Sequence, residues 1–135
     1  MSIGKPNSLG KSERLKSRKE IDGLFETGKK ITQFPFRLLY NTEPGKGIIK
    51  AGFTVSSKNF PRAIDRNRIK RLTREAYRVQ KKELESGAQK NDYTLHLFFI
   101  YTGREIVDYG EIYIRLKQLL DKLIKVIHEK HPSNT

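Results

Sequence analysis

The sequence predicts an α/β chain of the α+β sandwich type, with one central sheet packed by helices mainly on one face. Three observations carry this. Residues 48–56 alternate strictly between apolar and polar side chains, residues 93–101 are apolar on both sides of their alternation, and Ile112, Leu116, Leu119, Leu120, Leu123 and Ile127 recur at helical spacing. With the remaining segments the element order reads α-β-β-α-β-α. The 135 residues form one expected domain, with no internal repeat and no linker.

Each element has a local cause. Residues 1–13 are rich in turn formers, including Gly4, Pro6, Asn7 and Gly10, and are expected to be flexible, as is the tail 132–135. Ser17 stands three residues before Glu20, the spacing of a capping box, and Ile21, Leu24 and Phe25 supply the apolar stripe of a short helix that Gly28 stops. Residues 34–40 read as a strand and 43–47, Glu-Pro-Gly-Lys-Gly, as a turn. In the strand 48–56, Ile49, Ala51, Phe53 and Val55 face one way, and Lys50, Gly52, Thr54 and Ser56 the other. Asn59, Phe60 and Pro61 break it. A basic helix follows to about Leu84, with Ser86 and Gly87 expected to end it. Residues 93–101 form an interior strand, and the long amphipathic helix closes the chain.

Charge narrows the function. The formal net charge is +13, and residues 66–78 hold six basic side chains, one acid and no Gly or Pro. Wound at about 100° per residue, Ile69, Leu72, Ala76 and Val79 share one face, while Asn67, Lys70, Arg71, Arg74, Arg78 and Lys81 line the other. A merely solvated helix mixes its signs; a one-sign row repels itself until a polyanion neutralises it. An amphipathic membrane binder wants bulky apolar residues opposite its cations, and the Ile/Leu/Ala face suits packing on a sheet better. There is no Cys, no apolar leader core and no stretch of about 18 apolar residues. A cytoplasmic location without a membrane partner is expected.

Chemistry-bearing constellations are missing. Gly10-Lys11-Ser12 has the wrong glycine spacing for a phosphate loop, and no strand precedes it. His128 and His131 stand in a fraying end, and His96 reads as a hydrogen-bonded sheet residue. Asp22, Asp65, Asp92, Asp108 and Asp121 are scattered, whereas two-metal nuclease chemistry needs converging carboxylates. Asp65 instead suits the start of the arginine helix. No catalytic residue and no protein-bound metal or cofactor is expected.

The run Arg66-Asn67-Arg68-Ile69-Lys70-Arg71, with Arg74 and Glu75 following, resembles the "RNR" signature helix of the bacterial ribonuclease P protein component. Gly52-Phe53-Thr54-Val55-Ser56-Ser57-Lys58 is similar to that family's Gly-x-Ser/Thr-Val-Ser/Ala-Lys-Lys strand, and residues 15–28 to its short first helix ending in Gly-Lys. Ile21 stands where many members have Phe, and Ser57 replaces the first Lys of the usual pair. The resemblance implies a left-handed crossover through the basic helix, where general chirality rules favour a right-handed one. It implies a subunit of a ribonucleoprotein that removes the 5′ leader of precursor tRNA, with Mg²⁺ at the active site of the RNA. One protein would join one catalytic RNA. By the same resemblance Arg66, Asn67, Arg68, Lys70, Arg71, Arg74 and Arg78 would bind that RNA, and Ile21, Phe25, Lys50, Thr54, Ser56 and Lys58 the leader. The competing readings are a non-catalytic ribosomal or nucleic-acid-packaging protein, which has no reason to carry the 52–58 strand, and a self-sufficient nuclease, which the scattered acids disfavour.

Overall fold

The computed structural model describes residues 13–130. The elements are α1 (Arg18–Thr27), β1 (Lys29–Gln33), β2 (Phe36–Pro44), β3 (Ile49–Val55), α2 (Ala63–Gln80), α3 (Lys82–Lys90), β4 (Tyr93–Tyr101) and α4 (Tyr109–Lys130). The strands form one mixed sheet in the order β1-β2-β4-β3. β2 is antiparallel to both β1 and β4, while β3 lies parallel to β4. The connection from β3 to β4 passes through α2 and α3, so the arginine helix is the crossover of a βαβ unit.

The sheet has two unequal faces. Leu38 and Tyr40 of β2, Ile49, Ala51 and Val55 of β3, and Leu95, Leu97 and Phe99 of β4 meet α2, α3 and α4 in the main core. On the other face, among the described residues, α1 is the one helix that lies down, and Leu24 joins Leu15, Leu39 and Phe98 in a small second cluster. The predicted alternation of β3 is the one observed, and β4 is buried on both sides as its composition requires.

Four local differences from the sequence reading have physical causes. β1 is an additional strand. Its residues, Lys-Lys-Ile-Thr-Gln, carry one large apolar side chain, and it forms because β2 offers a free edge and α4 covers it. Gln33 Nε2 donates to Gln118 Oε1 at 2.9 Å, and Lys122 Nζ to the Thr32 carbonyl at 3.3 Å. β2 starts at Phe36 and continues to Pro44, so the turn is shorter than expected.

The basic helix ends at Gln80 and restarts at Lys82 as α3, which runs through Ser86 and Gly87 to Lys90. A glycine inside a helix costs about 1 kcal/mol relative to Ala. Burying a Leu contributes roughly 1.5–3 kcal/mol, and Leu84 with Ala88 pins α3 to the core. The chain turns instead at Asn91 and Asp92, where Asp92 has φ 52°. The expected flexible ends lie outside the described residues except Glu13, which is held by Lys81 at 2.5 Å.

The fourth difference is the phase of α2. Its buried residues are Ile69, Thr73, Ala76 and Tyr77, while Val79 is 43% exposed. Thr73 enters the core because its hydroxyl donates to the Ile69 carbonyl at 2.8 Å, leaving its methyl for packing. Tyr77 contacts Phe53 and Phe99 at ring distances of 5.7 and 5.5 Å. Aromatic burial and a self-satisfied hydroxyl therefore rotate the packed stripe away from Val79.

This phase predicts unequal costs. Ile69→Ala should lose about 2–4 kcal/mol in urea unfolding, and Val79→Ala less than about 1 kcal/mol. Equal losses contradict the observed packing of α2.

Candidate nucleic-acid interface

The loop that launches α2 is tied down on both sides. Asn59 Nδ2 donates to the carbonyls of Thr102 and Gly103 at 3.3 and 3.4 Å, fastening the loop to the end of β4. Arg66 Nη1 reaches back to the carbonyls of Phe60 and Pro61 at 2.8 and 2.7 Å. Arg62, the N-cap residue, pairs with Asp65 through Nε at 2.8 Å and Nη2 at 3.1 Å. That hydrogen bond holds the Asp65 carboxyl below the usual carboxylate range, with the charges of Arg62 and Arg68 adding to it. Asp65, expected to suit the start of the arginine helix, acts there by pairing with Arg62.

These bonds sort the cations. Arg62 and Arg66 are engaged within the loop, and Arg78 grips Glu75 on its own helix. Lys81, expected on the outer row, is buried instead, between Glu13 and Glu85 at 2.5 and 3.7 Å. Burial holds the Glu85 carboxyl above its ordinary range even with that ammonium beside it. Asn67, Arg68 and Arg71 are exposed and make no hydrogen bond or salt bridge among the described residues. Together with Ile64, which is 71% exposed, they occupy positions i, i+3, i+4 and i+7 of one helical face and line an open depression beside Arg62 and Asp65. Lys70 flanks this face, half-buried. Arg74 lies over the Phe53 ring, 5.8 Å from its centroid.

The second candidate surface is the sheet face left open by α1. Ser17 Oγ accepts the Glu20 N–H at 3.3 Å, the anticipated cap, and Gly28 N–H closes the helix on the Leu24 carbonyl. Leu24 is fully buried, Ile21 packs beside the small cluster, and Phe25 remains 56% exposed with its ring edge-on to Phe98 at 5.7 Å. Phe98 is buried on this second face. Glu20 was not singled out for this surface, yet its carboxylate stands at its centre. One oxygen lies 3.1 Å from His96 Nε2 and the other 3.9 Å from Lys50 Nζ. Asn41, His96 and Lys50 are direct neighbours across β2, β4 and β3, and His96 Nδ1 meets Asn41 Oδ1 at 3.0 Å. The capping spacing identified Glu20; its cross-sheet role depends on strand register, which local pattern does not carry.

Thr54 lies half-buried on the same face as Lys50, two register steps beyond His96. Ser56 stands just past the strand, where its Oγ accepts the Asn59 N–H at 3.4 Å and so shapes the turn. Lys58 projects exposed from that turn. Lys50, Thr54, Phe25 and Ile21 thus share one side of the sheet, with Ser56 and Lys58 at its end. Among the described residues, no three or more His, Asp or Glu side chains come together to hold a metal ion, and no helix is long and apolar enough to cross a membrane.

Fold and charge define a class: a basic α+β protein with an exposed row of cations on one helix. The comparisons with known proteins narrow it. The ribonuclease P family model matches residues 9–124. The ribonuclease P protein component of Porphyromonas gingivalis is 36% identical over 106 residues, covering 77% of each chain. That of Chlorobaculum tepidum is 35% identical over 113 residues, covering 77% of this chain and 73% of the relative. The RNase P protein of Staphylococcus aureus has the same fold, with a TM-score of 0.64 at 22% identity, over 84% of this chain and 96% of that one. The chain belongs to the ribonuclease P protein family, and is the protein component of that ribonucleoprotein endoribonuclease. Its role is in processing the 5′ leader of precursor tRNA.

Engagement of Arg66 within the loop predicts a stability effect that its neighbours lack. Arg66→Ala should destabilise the free protein by about 1–2 kcal/mol, lowering its melting temperature by roughly 3–6 °C. Arg68→Ala and Arg71→Ala should leave it within about 1 °C. Calorimetry of the three variants checks the division; equal melting temperatures contradict it.

Proposed function

We propose that this protein meets the catalytic RNA along α2 and the 5′ leader of precursor tRNA on the open face beside α1. The observation that carries the first half is the stripe of Asn67, Arg68 and Arg71 with Ile64: exposed, contiguous and without an internal salt bridge among the described residues. Lys70 and Arg74 extend it. Arg66 and Arg78 add positive potential while their hydrogen bonds run inward. Phosphates neutralise such a row, and the counterions they release make binding strongly salt-dependent.

The leader half rests on Phe25. The product lacks the leader, so a site for single-stranded RNA distinguishes substrate from product. An exposed ring stacks on any base through its π-face. Lys50, Thr54, Ser56 and Lys58 supply a cation and hydroxyls to the backbone without reading sequence, and Ile21 gives apolar contact where a second ring is absent. The exposure of Phe25 favours this over a purely structural staple. In this reading the whole chain acts as one RNA-binding domain, one protein joins one RNA in the cytoplasm, and no membrane is involved. Mg²⁺ would be held by the RNA rather than by this chain, and would supply the activation of water for hydrolysis there.

Two measurements test these assignments. If about five phosphates are neutralised, affinity for the catalytic RNA should fall with a log–log salt slope on the order of −3.5 to −4.5. Arg71→Ala should flatten that slope by about one and cost roughly 1–3 kcal/mol; an unchanged slope and affinity remove Arg71 from the interface. Phe25→Ala should weaken holoenzyme binding to precursor tRNA with a five-nucleotide leader by roughly 5- to 100-fold, and mature tRNA hardly at all. Equal losses for both ligands, with a large fall in melting temperature, make Phe25 a packing residue.

A further inference from the structure

Between the two surfaces lies a pocket that shares Arg74 with the α2 row and takes its other cations from residues 14–16. Residues 14–16 run along the outer edge of β3, where Arg14 bridges Ala51 in parallel and Leu15 N–H donates to the Ala51 carbonyl at 3.0 Å. Extended backbone alternates its side chains. Leu15 therefore enters the small core, while Arg14 and Lys16 point outward. Gly52 makes this close approach possible: a Cβ there would stand 2.9 Å from the Phe98 ring and 3.1 Å from the Leu15 carbonyl oxygen. On the α2 side the wall is Arg74, positioned over Phe53. The resulting pocket of about 260 Å³ is lined by Arg14, Lys16, Ala51, Gly52, Phe53 and Arg74, together with Leu15.

Its chemistry is one-sided. Three cations from two distant parts of the chain meet with no Asp or Glu in the lining. Elsewhere Arg62, Arg78 and Lys81 each have a carboxylate partner, whereas Lys16 and Arg74 make no salt bridge or hydrogen bond among the described residues. Phe53 has no face left for a base, because one side stacks on Phe99 at 5.3 Å and Arg74 approaches the ring as well. A small, multiply charged anion suits this lining better than a nucleobase. Convergent guanidinium and ammonium donors match phosphate oxygens, with Arg giving direction and Lys a point charge.

We propose that the pocket between residues 14–16 and α2 is a phosphate site that holds one backbone phosphate of RNA, with Lys16 and Arg74 as its two independent walls. It extends the α2 reading, on which it rests, by making the N-terminal segment part of the interface. Sitting at the rim where the α2 side and the open face meet, it takes its phosphate either from the catalytic RNA or from the precursor-tRNA leader.

A double-mutant cycle on the full chain separates these outcomes. Lys16→Ala, Arg74→Ala and the pair are measured for binding to the cognate ribonuclease P RNA, and, as holoenzymes, to precursor tRNA with and without a leader. Lys16→Ala should weaken one of these affinities about three- to tenfold and flatten its salt slope by roughly 0.7–0.9, with Lys16→Arg restoring both and the melting temperature unchanged. Because the two walls share one phosphate, the double variant should lose clearly less than the product of the single losses. Loss in the RNA arm assigns the phosphate to the catalytic RNA; loss only with leader-bearing tRNA assigns it to the leader. Unchanged affinity in every arm for Lys16→Ala, or losses that simply multiply, overturns the pocket. Arg71→Ala, which lies outside the pocket, reports separately on α2: if it weakens RNA binding while the cycle shows no coupling, the helix reading stands and the pocket falls.

Discussion

One helix has to be core on one side and an exposed row of cations on the other, and the packing of α2 on the sheet decides which cation points where. Ile69, Thr73, Ala76 and Tyr77 are buried against β3, β4 and α4. At about 100° per residue, this stripe leaves Ile64, Asn67, Arg68 and Arg71 opposite it, and turns Arg74 toward the edge of β3. The repulsion of a one-sign row is kept tolerable by local pairing, Arg62 with Asp65 and Arg78 with Glu75, so only part of the row is left without a carboxylate partner among the described residues. The buried Lys81, between Glu13 and Glu85, ends the row where the helix breaks. An unpaired ammonium there would cost several kcal/mol, which ties Glu13 to the far end of α2.

The asymmetry of the sheet makes the second surface possible. Three helices cover one face, so the main core needs nothing from the other. α1 is free to cover a corner, with Leu24 fully buried and Ile21 packed beside it, and to leave Phe25, Lys50 and Thr54 accessible. The polar rung of Asn41, His96 and Lys50, joined to Glu20, lets strand positions on this face be polar while partly covered, because each group has a partner. A protein with a fully covered sheet would have no such open face.

Much of this was legible in residues. The alternation of β3, the doubly apolar β4, the Ser17 cap and the Gly28 stop all reflect local chemistry, and local chemistry is what a sequence displays. β1 was not legible, because an edge strand with only Ile31 as a large apolar residue forms through its partner's free edge. Nor was the phase of α2. Counting Thr73 as polar and Val79 as apolar turned the predicted face toward Val79, and only a hydroxyl bonded to Ile69 and the ring contacts of Tyr77 show where the core lies. The arginine run was legible as a one-sign row of cations. Its division into Arg66, which builds the loop, and Arg68 and Arg71, which face outward, depends on carbonyls at Phe60 and Pro61 that no spacing rule reveals.

The phase of α2 relative to the RNA is the central claim, and the absence of cysteine makes it directly measurable. A single Ile64→Cys or Asn67→Cys carrying an iron–EDTA tether should cut the bound catalytic RNA at a few local positions, while the same tether at Lys125→Cys on α4 should cut it weakly or not at all. Strong local cleavage from Lys125 with none from Ile64 and Asn67 would contradict the account.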